Sequence, residues 1–594
     1  MSISIAVAYC HIALKGDKKM DKGLTGYPSI DKPWLQYYSE EAINALLPRC
    51  TVYELLWENN KEYLDDSALN YYGRKFTYGQ LFDSIERTAK SFSALGVKAG
   101  DIVVICTVNT PEMVYAFYAL NRLGAISNMV DPRTNIDGLH EYILESDAKF
   151  VMTVDLAYPA IAKAAEGTNI QKIVVVSPAD SLPPIPKMLY QTKNKHPKFG
   201  AKALPWKTFE SLGAGITPVY ASYVEDSCCV IAHTGGTTGF PKGVMLSNDN
   251  VNAMTHGYRH IGVPYKRKDR YFNDLPPFIM YGLCLATHTT LSYGLEVILY
   301  PVFDSQNFPK QFKKYRPHHF CAVPDHLRCL ATSNVTRSLD FSETITVGVG
   351  GDALDHGLEQ KMNGFLKSHG CQYEVMKGYG MTELAAAAVV TFPGANAIGS
   401  VGVPLVSNTV KIMDAETHQE LRYNQTGEIW IAGPSVMLGY YNKPQETDDL
   451  IFTDETGVRW VRTGDLGHMT EDGLLFHEGR IRRIYLTMFD GQPAKIFPML
   501  VENVLNQSQA VRECSVVGRK RRNSDNYEAV AFVVKTGQAG NNEILMKCLN
   551  DLCEKSVPTY MIPVEYYFID QLPHTPIGKV DFCTLEHMAA ENIQ

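Results

Sequence analysis

Thirteen consecutive residues, Ile231–Gly243 (IAHTGGTTGFPKG), carry the types and spacing of a phosphate holder. Gly235, Gly236 and Gly239 let backbone amides turn inward, Thr234, Thr237 and Thr238 add hydroxyl donors, and Lys242 brings a positive charge to the loop end. Together they form a polar cradle for anionic oxygens. The loop is not of the Walker type, in which Gly-Lys is followed by Ser or Thr, because Lys242 stands between Pro241 and Gly243. On chemistry alone, a Gly-rich surface loop remains the alternative.

The flanking elements suit the cradle. A strand-like CCVIA (228–232) leads into it, and VMLS followed by the helix-like NDNVNAM leads away. Farther out, strand and helix patterns alternate. Residues 79–96 have helical apolar spacing and end on Gly96, and DIVVICTV (101–108) reads as a strand followed by the helix-like PEMVYAFYALNRLG. Further strands are expected at 150–154, 172–176, 345–349, 428–432 and 529–535. This alternation implies an α/β fold with mainly parallel sheets flanked by helices. The Pro- and Lys-rich stretch 181–205 reads as an aperiodic surface excursion. A composition break after residue 478 leads through the basic connector GRIRR (479–483) to a segment of small-domain length. The expected organisation is a large domain over 1–478, a hinge at 479–483 and a small α+β domain over 484–594.

Composition bounds the rest. The chain has 594 residues, 45% hydrophobic and 20% charged, with a formal charge of −8. That is ordinary globular composition, and an acidic balance without a basic block argues against nucleic acid or an anionic membrane as the main partner. Thirteen cysteines without a CxxC pair signal neither a disulfide framework nor a zinc knuckle. The apolar start, Ile3 to Leu14, lacks the basic leader of a signal peptide, and no run reaches the ~20 apolar residues of a membrane span. A soluble, cytoplasmic protein is expected.

At this resolution the motifs become recognisable. HTGGTTGFPKG resembles the phosphate loop of the acyl-adenylate-forming superfamily of AMP-forming synthetases and ligases. The resemblance runs in order from about residue 50 to 585. Gly378-Tyr379-Gly380-Met381-Thr382-Glu383 is similar to the family's second nucleotide motif, GSVGVPL (399–405) and GEIWIAGPSVMLGYYNKPQET (427–447) to its central blocks, and VRTGDLG (461–467) to its ribose motif. Gly479-Arg480 resembles the hinge entrance and TPIGKVD (575–581) the catalytic-lysine motif.

The resemblance implies roles with a physical basis. Thr382 offers a hydroxyl to an α-phosphate, and Glu383 offers a hard oxygen to Mg²⁺. Tyr379 would stack on adenine beside a loop at Gly350, Gly351, Asp352 and Ala353. Asp465 can accept from both ribose hydroxyls, with Arg480 nearby. Lys579 would place its ammonium between carboxylate and α-phosphate. Because Lys579 lies in the small domain, that domain must be mobile and close on the large one. Surface roles for Glu383, Asp465 and Lys579, and a core role for Tyr379, are the competing readings.

Two departures bear on substrates. In LPPFIMYG, Ile279 follows Phe278 where amino-acid-activating relatives place Asp; an apolar residue cannot neutralise a buried ammonium. Phe278, Ile279, Tyr281 and Val323, with Gly380 and Met381, suggest a pocket for an apolar acyl chain, with an ordinary core role as the competing reading. Gly479 to Pro498 spans 19 positions, about four more than the motif's usual spacing. Arg482-Arg483 stands where a Lys-Asp pair is usual, Leu500 replaces a Glu, and Phe582 replaces an Arg. The reading is therefore an acyl-CoA synthetase: ATP and a carboxylic acid, by default a fatty acid, give acyl-adenylate, and CoA takes the acyl group. Two alternatives stay open: an adenylating enzyme loading a separate carrier protein, and a non-catalytic nucleotide-binding protein. With 15 residues after Lys579, no fused carrier domain is expected.

Overall fold

The computed structural model describes residues 23–193, 197–234, 241–522, 524–537, 541–574 and 580–591. The apolar start, Gly235, Gly236, Thr237, Thr238 and Gly239 of the phosphate loop, and Lys579 lie outside them.

Local chemistry sets the elements. The helix Tyr78–Ala94 begins at Thr77, whose hydroxyl accepts from Gln80 while the Gln80 side chain returns to the Thr77 amide, and it ends before Gly96 at φ +92°. Phe150–Val154 and Lys172–Val176 are strands, as their apolar runs predict, and pair in parallel in register. Cys228–His233 also belongs to this eight-stranded sheet, whose other parallel members include Ile102–Cys106 and Ile126–Met129. A second, longer sheet joins parallel strands, among them Thr346–Val349 and Met376–Tyr379, to an antiparallel group that includes Gly427–Ala432, Arg459–Met469 and Leu475–Arg480. Helices fill the space between and around the sheets, and the main core runs from Trp34 to Leu475.

A smaller C-terminal domain has its own interior. The antiparallel strands Val511–Lys520 and Tyr527–Lys535, with Glu565–Ile569 parallel to the second, carry helices on both faces. Their two cores draw only on residues from Tyr485 to Ala589. Between the domains, Leu475–Arg480 runs into a turn at Ile481–Arg483.

One expectation fails in part. The stretch 181–205 is a surface excursion, but it holds a helix, Pro184–Lys193, and a strand, Ala203–Pro205, that pairs with Lys172–Val176. Pro184 and Pro186 suggest a breaker, yet proline is tolerated in the first helical turn, where no amide partner is lost. Ile185, Met188 and Leu189 then follow helical spacing.

Candidate functional site

The strands Cys228–His233 and Gly243–Ser247, on either side of the glycine-rich loop, pair antiparallel, and the residues next to them close its base. Thr234 donates its amide to the Lys242 carbonyl (3.0 Å), and Lys242 donates its amide to the Thr234 hydroxyl (3.2 Å). This fixes Lys242 at the start of the strand Gly243–Ser247, with its ammonium 4.7 Å from the ring centroid of Tyr440. Tyr440 arrives on the short strand Gly439–Tyr440, paired antiparallel with that same strand.

Tyr440 links the loop to the second motif. Its hydroxyl donates to the Glu383 carboxylate at 2.6 Å. Glu383 sits in the turn Thr382–Leu384 and is 6% exposed; burial pushes its carboxyl upward, opposed by Tyr440 and by the charges of Arg480 and Lys242. The backbone here tolerates nothing larger at Gly380, where a Cβ would fall 1.9 Å from the Ala386 carbonyl oxygen. That tight turn places Met381 and Thr382 beside the loop formed by Ala385 and Ala386, both at positive φ.

Tyr379, at the end of its strand, donates its hydroxyl to Asp465 Oδ2 at 2.8 Å. Asp465 Oδ1 lies 3.1 Å from Arg480 Nε and 3.7 Å from His477 Nε2. The pairing of Asp465 opposite Arg480 across adjacent strands dictates this meeting. Burial alone would raise the Asp465 carboxyl, but His477, Arg480 and Tyr379 more than offset it and hold it below the usual carboxylate range. The His477 ring lies 5.5 Å from that of Tyr379.

The second glycine loop adjoins the expected acid pocket. Gly350 donates to the Ala322 carbonyl at 3.0 Å, Gly351 has φ +81°, and Asp352 accepts from the Ala353 amide at 2.8 Å. A Cβ at Gly350 would lie 3.5 Å from Tyr281, and one at Gly351 would lie 3.6 Å from Val323, so these four residues converge. Tyr281 opens a π-helix, Tyr281–Thr289, in which Thr287 and Thr289 hydroxyls return to carbonyls five residues back. Such widened turns recur at functional sites. Phe278 is buried under the Arg133 guanidinium, and Ile279 and Met381 pack against the main core.

Residues 56–441 match the AMP-binding enzyme family, and residues 500–579 match the AMP-binding enzyme C-terminal domain. The chain belongs to the AMP-binding enzyme family. Among its relatives, a long-chain-fatty-acid–CoA ligase of Bacillus subtilis is 29% identical, covering 92% of this chain and 96% of the relative. A probable 4-coumarate–CoA ligase 1 of Dictyostelium discoideum is 26% identical over the same shares. The fold is shared with the anthranilate CoA ligase AuaEII in complex with anthranoyl-AMP (TM-score 0.79, 20% identity, 92% of this chain and 99% of that one). It is shared too with ATP-bound MatB from Rhodopseudomonas palustris (TM-score 0.77, 21% identity, 91% and 100%).

Sequence reasoning about this AMP-binding enzyme missed two residues at the centre of the site. Tyr440 lies inside a quoted block, GYYNKPQET, and the neighbouring glycine and the paired strand are the signal that it faces the loop. His477 lies two residues before Gly479 on the strand facing Asp465, at the same-face spacing from the hinge motif. Arg482 and Arg483 also differ in their surroundings. Arg482 lies close enough to Tyr440 for its charge to oppose the upward shift of that phenol. Arg483 instead enters the small domain, donating to Glu502 (2.6 Å) and the Val516 carbonyl (3.0 Å) and lying 3.7 Å from the Phe582 ring centroid. The long segment after the hinge is a hairpin, Tyr485–Phe489 with Gln492–Ile496, turned at Asp490 and Gly491, both at positive φ.

Proposed function

We propose that this AMP-binding enzyme activates a carboxylic acid with ATP, forming acyl-adenylate and pyrophosphate, and then passes the acyl group to the thiol of CoA. The observation that carries the reading is the convergence of Lys242, Tyr440, Glu383, Arg480, Asp465 and Tyr379, which join the phosphate, second-nucleotide and ribose motifs into one polar site. The CoA ligase relatives supply the reaction class. In this scheme Lys242 and the loop amides hold the β- and γ-phosphates, Thr382 donates to the α-phosphate, and Tyr379 with Gly350–Ala353 flanks the adenine. Asp465, steadied by Arg480 and His477, accepts from the ribose.

One carboxylate beside a phosphate cradle is the protein share that Mg²⁺ takes, so Glu383 fits that ion as a ligand. When bound, Mg²⁺ would neutralise phosphate charge. The chain's own residues do the rest: Lys579 offsets repulsion between the acid carboxylate and the α-phosphate, and the small domain, turning about Gly479–Arg483, brings it there. Arg482 lies at that hinge beside Tyr440, where a change of orientation would move it.

The acid we assign is a fatty acid, on the apolar character of Phe278, Ile279 and Val323 and on the Bacillus subtilis relative. A flat aryl acid is the second reading, favoured by the bare backbone of Gly378 between the Tyr258 hydroxyl and Ala387. Acid-dependent ATP–pyrophosphate exchange over a panel of fatty and aryl acids tests both. Lys579→Ala should cut the exchange about 10²–10³-fold, the usual loss for one such electrostatic contact. Exchange within threefold of wild type would remove Lys579 from the mechanism.

A further inference from the structure

The helix Pro184–Lys193 packs the wrong way round for a helix serving only its own core. Its inward side carries Pro186, Lys187 and Tyr190, all half-buried, with Tyr190 donating to Asp155 Oδ1 (3.1 Å) and Lys187 reaching the Asp180 carbonyl (3.4 Å). Its outward side presents Ile185, Met188 and Leu189, which are 71%, 60% and 51% exposed. These three stand at i, i+3 and i+4, so they share one face. Two further apolar residues in neighbouring segments are exposed. Leu156, next to the Asp155 that holds Tyr190, is 62% exposed, and Phe199, packed edge-on against Tyr158, is 40% exposed. Scattered exposed apolar residues need no explanation, but three large ones gathered on one helix face do.

Charge identifies the occupant. In a chain of net charge −8, residues 181–205 contain five lysines and no Asp or Glu. Lys193, four residues after Leu189 on the same helix, is exposed, and Lys198 and Lys202 are exposed in the segment that follows. Asp155 and Asp180, on the inward side of the helix, are engaged with Ser177 and Tyr190. An apolar helix face edged by lysine is the pattern of a helix lying in a lipid interface, its side chains among the upper acyl chains and its ammonium groups at anionic headgroups. A second copy of this chain fits less well, because a two-fold pairing through this face sets one copy's lysines against the other's. We propose that this helix is a docking surface for an anionic lipid bilayer. The acidic balance of the whole chain hides this patch from a reading of net charge.

The location is consistent with catalysis proceeding while docked. The helix follows the carboxyl end of Lys172–Val176, and the phosphate loop follows the carboxyl end of Cys228–His233, at the same edge of one parallel sheet. Four strand spacings separate them, on the order of 20 Å.

Co-sedimentation of the full chain with phosphatidylcholine vesicles, with and without phosphatidylserine, tests the proposal. Wild type should bind the phosphatidylserine vesicles at low salt, bind pure phosphatidylcholine at least about tenfold more weakly, and be released as salt rises. Replacing Ile185, Met188 and Leu189 together by Ser should weaken binding at least about tenfold. Lys193→Gln, Lys198→Gln and Lys202→Gln should each weaken it about fivefold. All are exposed positions, so melting temperature and pyrophosphate exchange should not change. Equal binding to both vesicle types, or full binding by the triple serine variant, would overturn the proposal. So would a dimer that forms through this face, is abolished by the serine variant, and leaves no vesicle binding.

Discussion

Removing the carboxylate of Asp465 should weaken nucleotide binding and the fold by comparable amounts, and the two losses can be measured separately. Asp465 is 4% exposed, and its Oδ2 holds the Tyr379 hydroxyl at 2.8 Å. A hydrogen bond to a charged group contributes about 1.5–3 kcal/mol, so Asp465→Ala should destabilise the large domain by about that much. The pair with Arg480 adds little, since that side chain is 62% exposed and solvent screens it. If the same carboxylate also accepts from ribose, losing one such bond weakens ATP binding roughly 10- to 150-fold. The loss should appear in Kd and KM more than in kcat, because ribose is held equally in ground and transition states. Tyr379→Phe is the control. It removes the 2.8 Å bond and its share of stability, but keeps both the carboxylate and the ring, so ATP affinity should stay within about fivefold, one neutral bond's worth. Calorimetric titration of ATP, with thermal melting on the same samples, separates the two effects. A folded Asp465→Ala protein that binds ATP within twofold of wild type would refute the ribose assignment.

Other perturbations follow from buried charges elsewhere. Burial pushes Glu112 up to about 7, with Ser181 opposing; the folded state then holds a proton that the unfolded state releases near 4.3, so stability falls as pH rises through that window. Glu112→Gln should therefore stabilise above pH 7 by up to about 3 kcal/mol and make no difference below about pH 4, and a melting series across pH that showed no slope difference would count against it. Lys377, buried just before Gly378, pairs with the buried Glu359 and donates to the Ala397 carbonyl. Glu359→Ala should cost about 3–5 kcal/mol by denaturant titration, while replacing both partners with apolar residues should cost much less. Arg483→Ala should loosen the small domain by about 2–4 kcal/mol, losing its Glu502 pair and Phe582 stack, and slow both half-reactions alike. Arg482→Ala should slow only transfer to the thiol, and equal loss in both steps would return it to the same structural role as Arg483.

Periodicity made the sheets legible because their strands are buried on both faces. Phe150–Val154 is apolar except for Thr153 and Lys172–Val176 is apolar after Lys172, the near-continuous pattern of a parallel sheet covered on both faces. The site was legible where a string is locally constrained, as at Gly380, where no side chain fits. It was less legible where function depends on pairing between distant segments. Tyr440 gains meaning only when its strand adds to Gly243–Ser247, and His477 only when its strand faces Asp465. The division of labour between Arg482 and Arg483 is likewise invisible in GRIRR, since it depends on Glu502 and Phe582 folding back onto the second arginine. The helix at 184–193 was hidden by prolines that a first turn accepts.

The most direct test of the account mixes the protein with ATP, Mg²⁺ and an acid in the absence of CoA, quenches the mixture, and identifies the product by mass. The account predicts an enzyme-bound acyl-adenylate formed together with pyrophosphate, which disappears into acyl-CoA when CoA is added. Release of ADP and phosphate, or acyl-CoA formed without any adenylate, would contradict it.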